Sequence, residues 1–333
     1  MKEIRINFEG FSANFDYKLF LPYKILLKHF DVKIVDNPDY LFCSGYHGYR
    51  FCAFKGIRIF YMGEVFSPDF NLVDYAINFA DNFQYEDRAV FIPGYAYVDG
   101  IELLQNRKPF TIEDISRKSR FCNFIYSWEG IPKRTELFKL ISTYKQVDSA
   151  GKYLNNMNGF PAGPRSSAKA GFTNQEKWNF QRNYKFSIAC ENYVFPSYIT
   201  EKIIDAYIAE TIPIYYGHQS IKNYFNPKSF INYSDYSSDS EFLEHIKKID
   251  NNDSLYLEML NQEIFIDRNL ISDMYSKLQI FILNIFNQDY NNAFRRPKSI
   301  ASSYEDNLLS LDKILQNRLF RFIYRCLRKI KII

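Results

Sequence analysis

Through residue 110, apolar residues come in short runs separated by polar, helix-patterned stretches. Glu3–Asn7 predicts a strand and Tyr23–Phe30 a short helix. Val32–Val35, Tyr40–Cys43, Ile57–Tyr61 and Tyr75–Phe79 predict further strands. Strands that alternate with crossovers make a parallel α/β sheet. The stretch Arg107–Arg120 is charged, contains Pro109 and has weak periodicity, so it reads as a linker. A second α/β series follows, with strands expected at Phe121–Tyr126, Gln146–Asp148, Phe186–Cys190, Ile212–Tyr216 and Phe230–Asn232. Helices are expected from Lys133 to Tyr144, over Glu201–Ala209 with Thr200 as N-cap, and from Ser240 to Phe286. Gly151–Gly171 has the composition of a loop. These patterns predict two α/β domains, 1–115 and 116–290, and a tail, 291–333.

Composition narrows the class. At 333 residues with 47% hydrophobic and 24% charged positions, the chain can build two ordinary cores and is not disordered. Aromatic residues reach 18%, which suits sugar-binding faces but is better explained by a general enrichment in Phe, Tyr, Asn, Ile and Lys. The net charge is +4, yet Arg318, Arg321, Arg325, Arg328, Lys329 and Lys331 crowd the end without an acid among them. The rest is close to neutral, with no footprint for nucleic acid. Cys43, Cys52, Cys122, Cys190 and Cys326 are scattered, with no CxxC and no histidine pairing, so neither a disulfide framework nor a zinc site is expected. The opening MKEIRINFEGF lacks a signal-like apolar run, and no membrane-span-length apolar stretch follows, which predicts a reducing, cytoplasmic setting.

The chemistry concentrates between Tyr184 and Asn232. A strand feeds a loop carrying Glu191, Asn192 and Tyr198, and Thr200 then starts a helix whose first turn holds Glu201 and Lys202. Open α/β sheets bind ligands at this end of their strands. Free N–H groups and the positive helix end favour a diphosphate, and Lys202 adds a charge. Glu201 could accept sugar hydroxyls or stabilise an oxocarbenium-like sugar. Spacing alone also fits an ordinary helix start with a solvated lysine.

This segment resembles the donor motif of the bacterial α-1,3/4-fucosyltransferases, glycosyltransferase family 10. The pieces are Glu191-Asn192, Tyr198-Ile199-Thr200-Glu201-Lys202, Ile212-Pro213-Ile214-Tyr215-Tyr216-Gly217 and Asn226-Pro227-Lys228-Ser229-Phe230-Ile231-Asn232. Departures are Cys190 for the usual Phe, Tyr193 for Ser, and His218 after Gly217. Phe60-Tyr61-Met62-Gly63-Glu64, with Pro68 to Ile77 after it, resembles the family's acceptor-side motif. Ile131-Pro132-Lys133-Arg134 resembles the place of its diphosphate-contacting arginine, with Lys133 as the substitute.

The resemblance implies a GT-B fold, two Rossmann-like domains facing across a cleft, and inverting transfer of L-fucose from GDP-fucose. The acceptor hydroxyl would belong to GlcNAc or glucose of a surface glycan, a lipopolysaccharide O-antigen or an N-acetyllactosamine-type chain. Glu64 would be the general base, with Glu201 a second catalytic carboxylate. Arg134, Glu191, Asn192, Tyr198, Thr200 and Lys202 would bind the donor. No metal is required, although Mn2+ or Mg2+ stimulates some members; Asp235 and Asp239 lie in a Ser-rich loop rather than a metal-binding Asp-x-Asp.

The cations of 318–331 fall at helical spacing opposite Leu319, Phe320, Phe322, Ile323, Leu327 and Ile330. Such a C-terminal basic amphipathic helix suits an anionic membrane surface, which predicts a peripheral position on the inner face of the cytoplasmic membrane and a lipid-linked acceptor. The same apolar face would equally dock on the protein body. Two other readings stay open: a GT-B transferase using another GDP-sugar, and a non-catalytic glycan-binding or assembly protein of the same fold.

Overall fold

The five apolar runs before residue 80 and a sixth, not expected from the pattern, lie side by side in the computed structural model, which describes residues 1–13, 15–79, 87–105, 107–157, 174–297, 301–317 and 320. They are β1 (Glu3–Glu9), β2 (Asp31–Ile34), β3 (Tyr40–Cys43), β4 (Ile57–Met62), β5 (Tyr75–Asn78) and β6 (Ala89–Phe91), with α1 (Leu21–His29) between β1 and β2. The order is β2-β1-β3-β4-β5-β6, and neighbouring strands are parallel. Every residue of β3 and β5 is buried, because a parallel sheet is covered on both faces.

The second unit comprises α2 (Ile112–Ser116), β7 (Arg120–Phe124), α3 (Pro132–Ser142), β8 (Val147–Ser149), α4 (Asn174–Gln181), β9 (Tyr184–Cys190), α5 (Glu201–Ile208), β10 (Ile212–Tyr216), β11 (Ile231–Asn232), α6 (Asp239–Asp250), α7 (Asp253–Leu260) and the start of α8 (Leu270–Asn287). Its parallel sheet runs β11-β10-β9-β7-β8. One face packs Phe124, Leu137, Ile141, Phe186, Phe242 and Ile246. The other packs Ile203, Ile204, Tyr207 and Ile208 of α5 against Tyr215 and Phe225. Those α5 positions recur at helical spacing, which is why this segment is a helix laid on the sheet.

The compact units divide at Ile92/Pro93 and Tyr275/Ser276, so residues 93–115 pack with the second unit and 276–290 with the first, unlike the sequence-based division. The expected linker Arg107–Arg120 is structured. Thr111 and Asp114 form a capping box that starts α2, and Ile115 is buried in the second core. The helical stretch after Ser240 is divided into three helices, α6, α7 and α8. Asn252 breaks it, its side chain accepting from the Leu255 N–H to start α7.

The chain returns to the first unit within α8, whose Phe286 ring lies 4.4 Å from that of Tyr40. After α9 (Tyr290–Ala293), α10 (Ala301–Gln316) follows. Two buried arginines bind this stretch to the first sheet. Arg58, fully buried, donates to Glu305 at 2.8 Å and to the carbonyls of Cys52, Phe54 and Leu72. Arg296 pairs with Asp74, whose carboxylate also accepts from the Arg58, Arg295 and Arg296 N–H groups. The expected basic helix 318–331 falls outside the described residues apart from Phe320, as do residues 158–171 of the expected loop.

Candidate functional site

In the second sheet β7 has β8, its successor, on one side and β9 on the other. The winding direction reverses between β7 and β9, and open α/β sheets place their ligands outside the carboxyl ends of strands at such a point. The chain leaving β7 runs through Tyr126 and Trp128 into α3, and the chain leaving β9 runs through Glu191 and Asn192 into α5. Both helices carry a cation in the first turn, Arg134 in α3 and Lys202 in α5. A cation there opposes the helix dipole, so each is placed at a cost to its own helix. A pocket of about 250 Å³ lies between them, lined by Tyr126, Trp128, Arg134, Lys177, Gln181, Asn192, Glu201 and Lys202 among others.

Arg134 is 2% exposed. Its guanidinium lies over the Tyr126 ring, 3.9 Å from the centroid. It donates to the Trp128 carbonyl at 3.2 Å, the Cys190 carbonyl at 3.2 Å and Asn192 Oδ1 at 2.8 Å. Nε is buried without a partner, and among the described residues no carboxylate lies within ion-pair distance. A buried cation held only by neutral groups has unspent charge for an anion. Lys133 points elsewhere, pairing with Glu136 at 2.7 Å and resting over the Tyr233 ring.

Lys202 is differently placed. Its ammonium donates to Thr200 Oγ1 at 2.9 Å and lies 3.2 Å from Glu201 and 3.4 Å from Glu191. Burial opposes its charge, but Glu191 and Glu201 outweigh that and hold the lysine protonated well above its usual range. Desolvation would raise Glu201, yet Lys202 and Lys177 bring its carboxyl down to about 2. Glu201 is about half exposed, so its ionisation is also supported by water.

Glu191 is fully buried and shifted upward by desolvation, an effect that Lys202 and Thr200 offset in part. Its carboxylate accepts from both the N–H and the hydroxyl of Thr200. Thr200 does sit at the N-cap position expected of it, but its side chain makes no cap and serves Glu191 instead. Tyr198 is buried, its ring edge-on to exposed Tyr193 at 5.8 Å between centroids. Ser197, just before Tyr198 in the chain, is in the left-handed region at φ 60°, and its N–H donates to the Ser220 hydroxyl. Of the departures noted above, Cys190 is buried in the second core, and His218 Nδ1 accepts the Ser220 N–H at 3.1 Å.

The structure therefore brings Arg134, Asn192, Glu201 and Lys202 to one pocket, with Glu191, Thr200 and Tyr198 packed in the same loop. Sequence reasoning missed Trp128, Lys177 and Gln181. Trp128 stands six residues before Arg134 and had a signal, an aromatic in a Gly-Pro loop after a strand. Lys177 and Gln181 come from α4 and had none. Glu64 belongs to the first unit, in the bend after β4 at the carboxyl end of that sheet. It is half-buried, and its charge adds to the desolvation that raises the Tyr46 phenol. Among the described residues no group of three or more His, Cys, Asp or Glu could hold a metal ion. Asp235 pairs with Lys222 at 2.6 Å, and Asp239 opens α6.

Residues 115–266 match the glycosyltransferase family 10 (fucosyltransferase) C-terminal region, and residues 6–98 match the α-(1,3)-fucosyltransferase FucT N-terminal domain. The chain belongs to glycosyltransferase family 10, the fucosyltransferases. A protein of Acanthamoeba polyphaga mimivirus named as a fucosyltransferase is 35% identical over 189 residues, 55% of this chain and 30% of the relative. The α-(1,3)-fucosyltransferase FucT of Helicobacter pylori is 28% identical over 234 residues, 61% of this chain and 46% of the relative. The chain thus spans less than half the length of these curated relatives. A crystal structure of an α1,3-fucosyltransferase with GDP-fucose has a TM-score of 0.64 at 24% identity, covering 87% of this chain and 93% of that one. A DNA-modifying β-glucosyltransferase shares the fold at a TM-score of 0.52 and 12% identity, covering 85% and 99%. The fold of this family 10 chain is of the GT-B type, α/β with two parallel Rossmann-like sheets.

Proposed function

We propose that the chain transfers L-fucose from GDP-fucose to a glycan hydroxyl, as an inverting α-1,3-fucosyltransferase. The observation that carries this reading is Arg134, a buried guanidinium without a carboxylate partner among the described residues, at the point where the second sheet reverses its winding. A nucleoside diphosphate supplies the missing anion. The α-(1,3) specificity named for the Helicobacter pylori relative, and the GDP-fucose bound to the solved α1,3-fucosyltransferase, support the choice of donor and linkage.

In this reaction the acceptor oxygen attacks C1 of fucose from the face opposite the diphosphate. The bond from C1 to the β-phosphate oxygen breaks, and its electron pair leaves with GDP. The hydroxyl proton passes to Glu64 as general base. Arg134 and Lys202 stabilise the charge that develops on the departing diphosphate. Glu201, held ionised beside Lys202, faces the positive charge that builds on the sugar ring. Asn192 orients Arg134, and Glu191, Thr200 and Tyr198 set the loop between them.

The acceptor is a GlcNAc or glucose hydroxyl of a surface glycan, lipopolysaccharide O-antigen or N-acetyllactosamine-type chain. The basic 318–331 segment would bring the enzyme to the inner face of the cytoplasmic membrane, where a lipid-linked acceptor is found. Release of GDP from GDP-fucose with N-acetyllactosamine, for wild type and Glu64→Ala, tests the reading. Acceptor-dependent turnover that the substitution abolishes while GDP still binds is the expected result. Turnover that survives removes Glu64 as base. Folded protein that binds no GDP removes the donor assignment.

A further inference from the structure

Trp128 lines the same pocket as Arg134 and Lys202 and is still 54% exposed. An indole more than half exposed beside a cationic pocket leaves apolar surface in water. Its position is nevertheless fixed at two points. The Trp128 carbonyl accepts from Arg134, so the backbone is tied to the anion-binding cation itself. The six-membered ring of the indole lies directly over Gly130, where there is no room for a Cβ. The glycine therefore acts as a seat for the ring, and the loop holds the indole in one place although more than half of it stays exposed.

We infer that the Trp128 indole is the platform on which the nucleobase of the donor stacks. The inference rests on the proposal that this pocket binds a nucleoside diphosphate. A cation for phosphate and a π face within one pocket match the two halves of a nucleotide, because every base offers a flat aromatic surface. A sugar ring offers only C–H groups to such a face. Stacking on Trp128 would place the base on the β7 side of the pocket and direct the diphosphate along Arg134 towards Lys202. The residue would then add to donor affinity without touching the reacting carbon.

The chain has two tryptophans, and Trp178 is buried with its N–H donated to Asp205 at 2.7 Å. Quenching of intrinsic fluorescence by acrylamide thus reads Trp128, with Trp128→Phe supplying the background. GDP is expected to protect wild-type fluorescence to the level of that background, and inorganic pyrophosphate is expected not to. In calorimetry, Trp128→Ala weakens GDP about tenfold and Trp128→Phe by less than about threefold, with pyrophosphate affinity unchanged. Gly130→Ala, which keeps the indole but takes its seat, weakens GDP about as much as Trp128→Ala. Wild-type GDP affinity in folded Trp128→Ala overturns the inference and leaves the donor site standing. Protection by GDP-fucose but not by GDP also overturns it and assigns the indole to the sugar. Absence of both GDP and pyrophosphate binding in the wild type overturns the donor site and this inference together.

Discussion

The carboxylate of Glu191, at the end of β9, accepts the Thr200 N–H at 2.8 Å and the Thr200 hydroxyl at 2.7 Å, which ties the strand end to the first turn of α5. The same carboxylate lies 3.4 Å from Lys202, so one buried acid sets the start of the helix and the direction of its cation. Glu191→Ala orphans two donors, and a buried unsatisfied group costs ~1–3 kcal/mol. Unfolding by urea should show a loss of that order, and GDP should bind more weakly. Glu191→Gln keeps one acceptor and should fall between wild type and Glu191→Ala in both measurements.

Arg134 is the pocket cation without a carboxylate partner among the described residues, and its contacts use the planar fork of the guanidinium. Arg134→Lys retains the charge but cannot span the Trp128 and Cys190 carbonyls and Asn192 together. GDP affinity measured by calorimetry should fall at least about tenfold, equivalent to ~1.4 kcal/mol. Lys133→Ala, which removes a side chain paired with Glu136, should leave GDP affinity unchanged.

Glu305 of α10 reaches Arg58, Lys55 and, at 3.8 Å, the buried Arg296, and the first two have opposite surroundings. Arg58 is wholly buried, whereas the Lys55 side chain is 66% exposed. Removing one partner of a buried pair costs ~3–5 kcal/mol, while an exposed pair contributes ~0–1 kcal/mol. Glu305→Ala should therefore destabilise the first unit strongly in urea unfolding, and Lys55→Ala barely. A small effect of Glu305→Ala would mean that α10 contributes little to that unit.

Lys118 donates to the Arg182 and Tyr184 carbonyls in a setting whose desolvation lowers its pKa to about 8. The unfolded chain holds this proton up to the ordinary lysine value of 10.5. Between about pH 8 and 10 the unfolded state binds more protons at this site, so stability rises with pH across that window. As pH falls through 8 the contribution is lost, because the ammonium must then be charged where it is poorly solvated. Lys118→Met should flatten the rise in melting temperature over this window, measured at matched ionic strength.

Much of the second unit was legible in advance because its signals are local. Tyr198 to Lys202 announced a strand-loop-helix with charge at the helix start, and α5 begins at Glu201. The capping box of α2 was equally local, yet charge and Pro109 in the surrounding stretch led to the expectation of a linker. β6 was missed because three residues carry too little pattern to stand out. α4 follows a polar stretch, and its sequence NQEKWNFQ shows hardly any apolar face.

Periodicity and motifs a few residues long carry most of the strand-and-helix succession, the family of the chain and the residue types of the candidate site. What each side chain is free to do follows from its neighbours in the folded chain. Lys202 reads in sequence as an uncommitted cation, but strand β9 brings Glu191 beside it. Arg134 reads as an ordinary helix-start arginine, but β7 and β9 pair so that carbonyls and an amide surround it, with no acid among the described residues near enough to neutralise it. Arg58 and Glu305 meet across 247 positions, a distance over which no local pattern carries information. The availability of a charge depends on its neighbours in space, and the pairing of parallel strands, set by the whole sheet, brings those neighbours together.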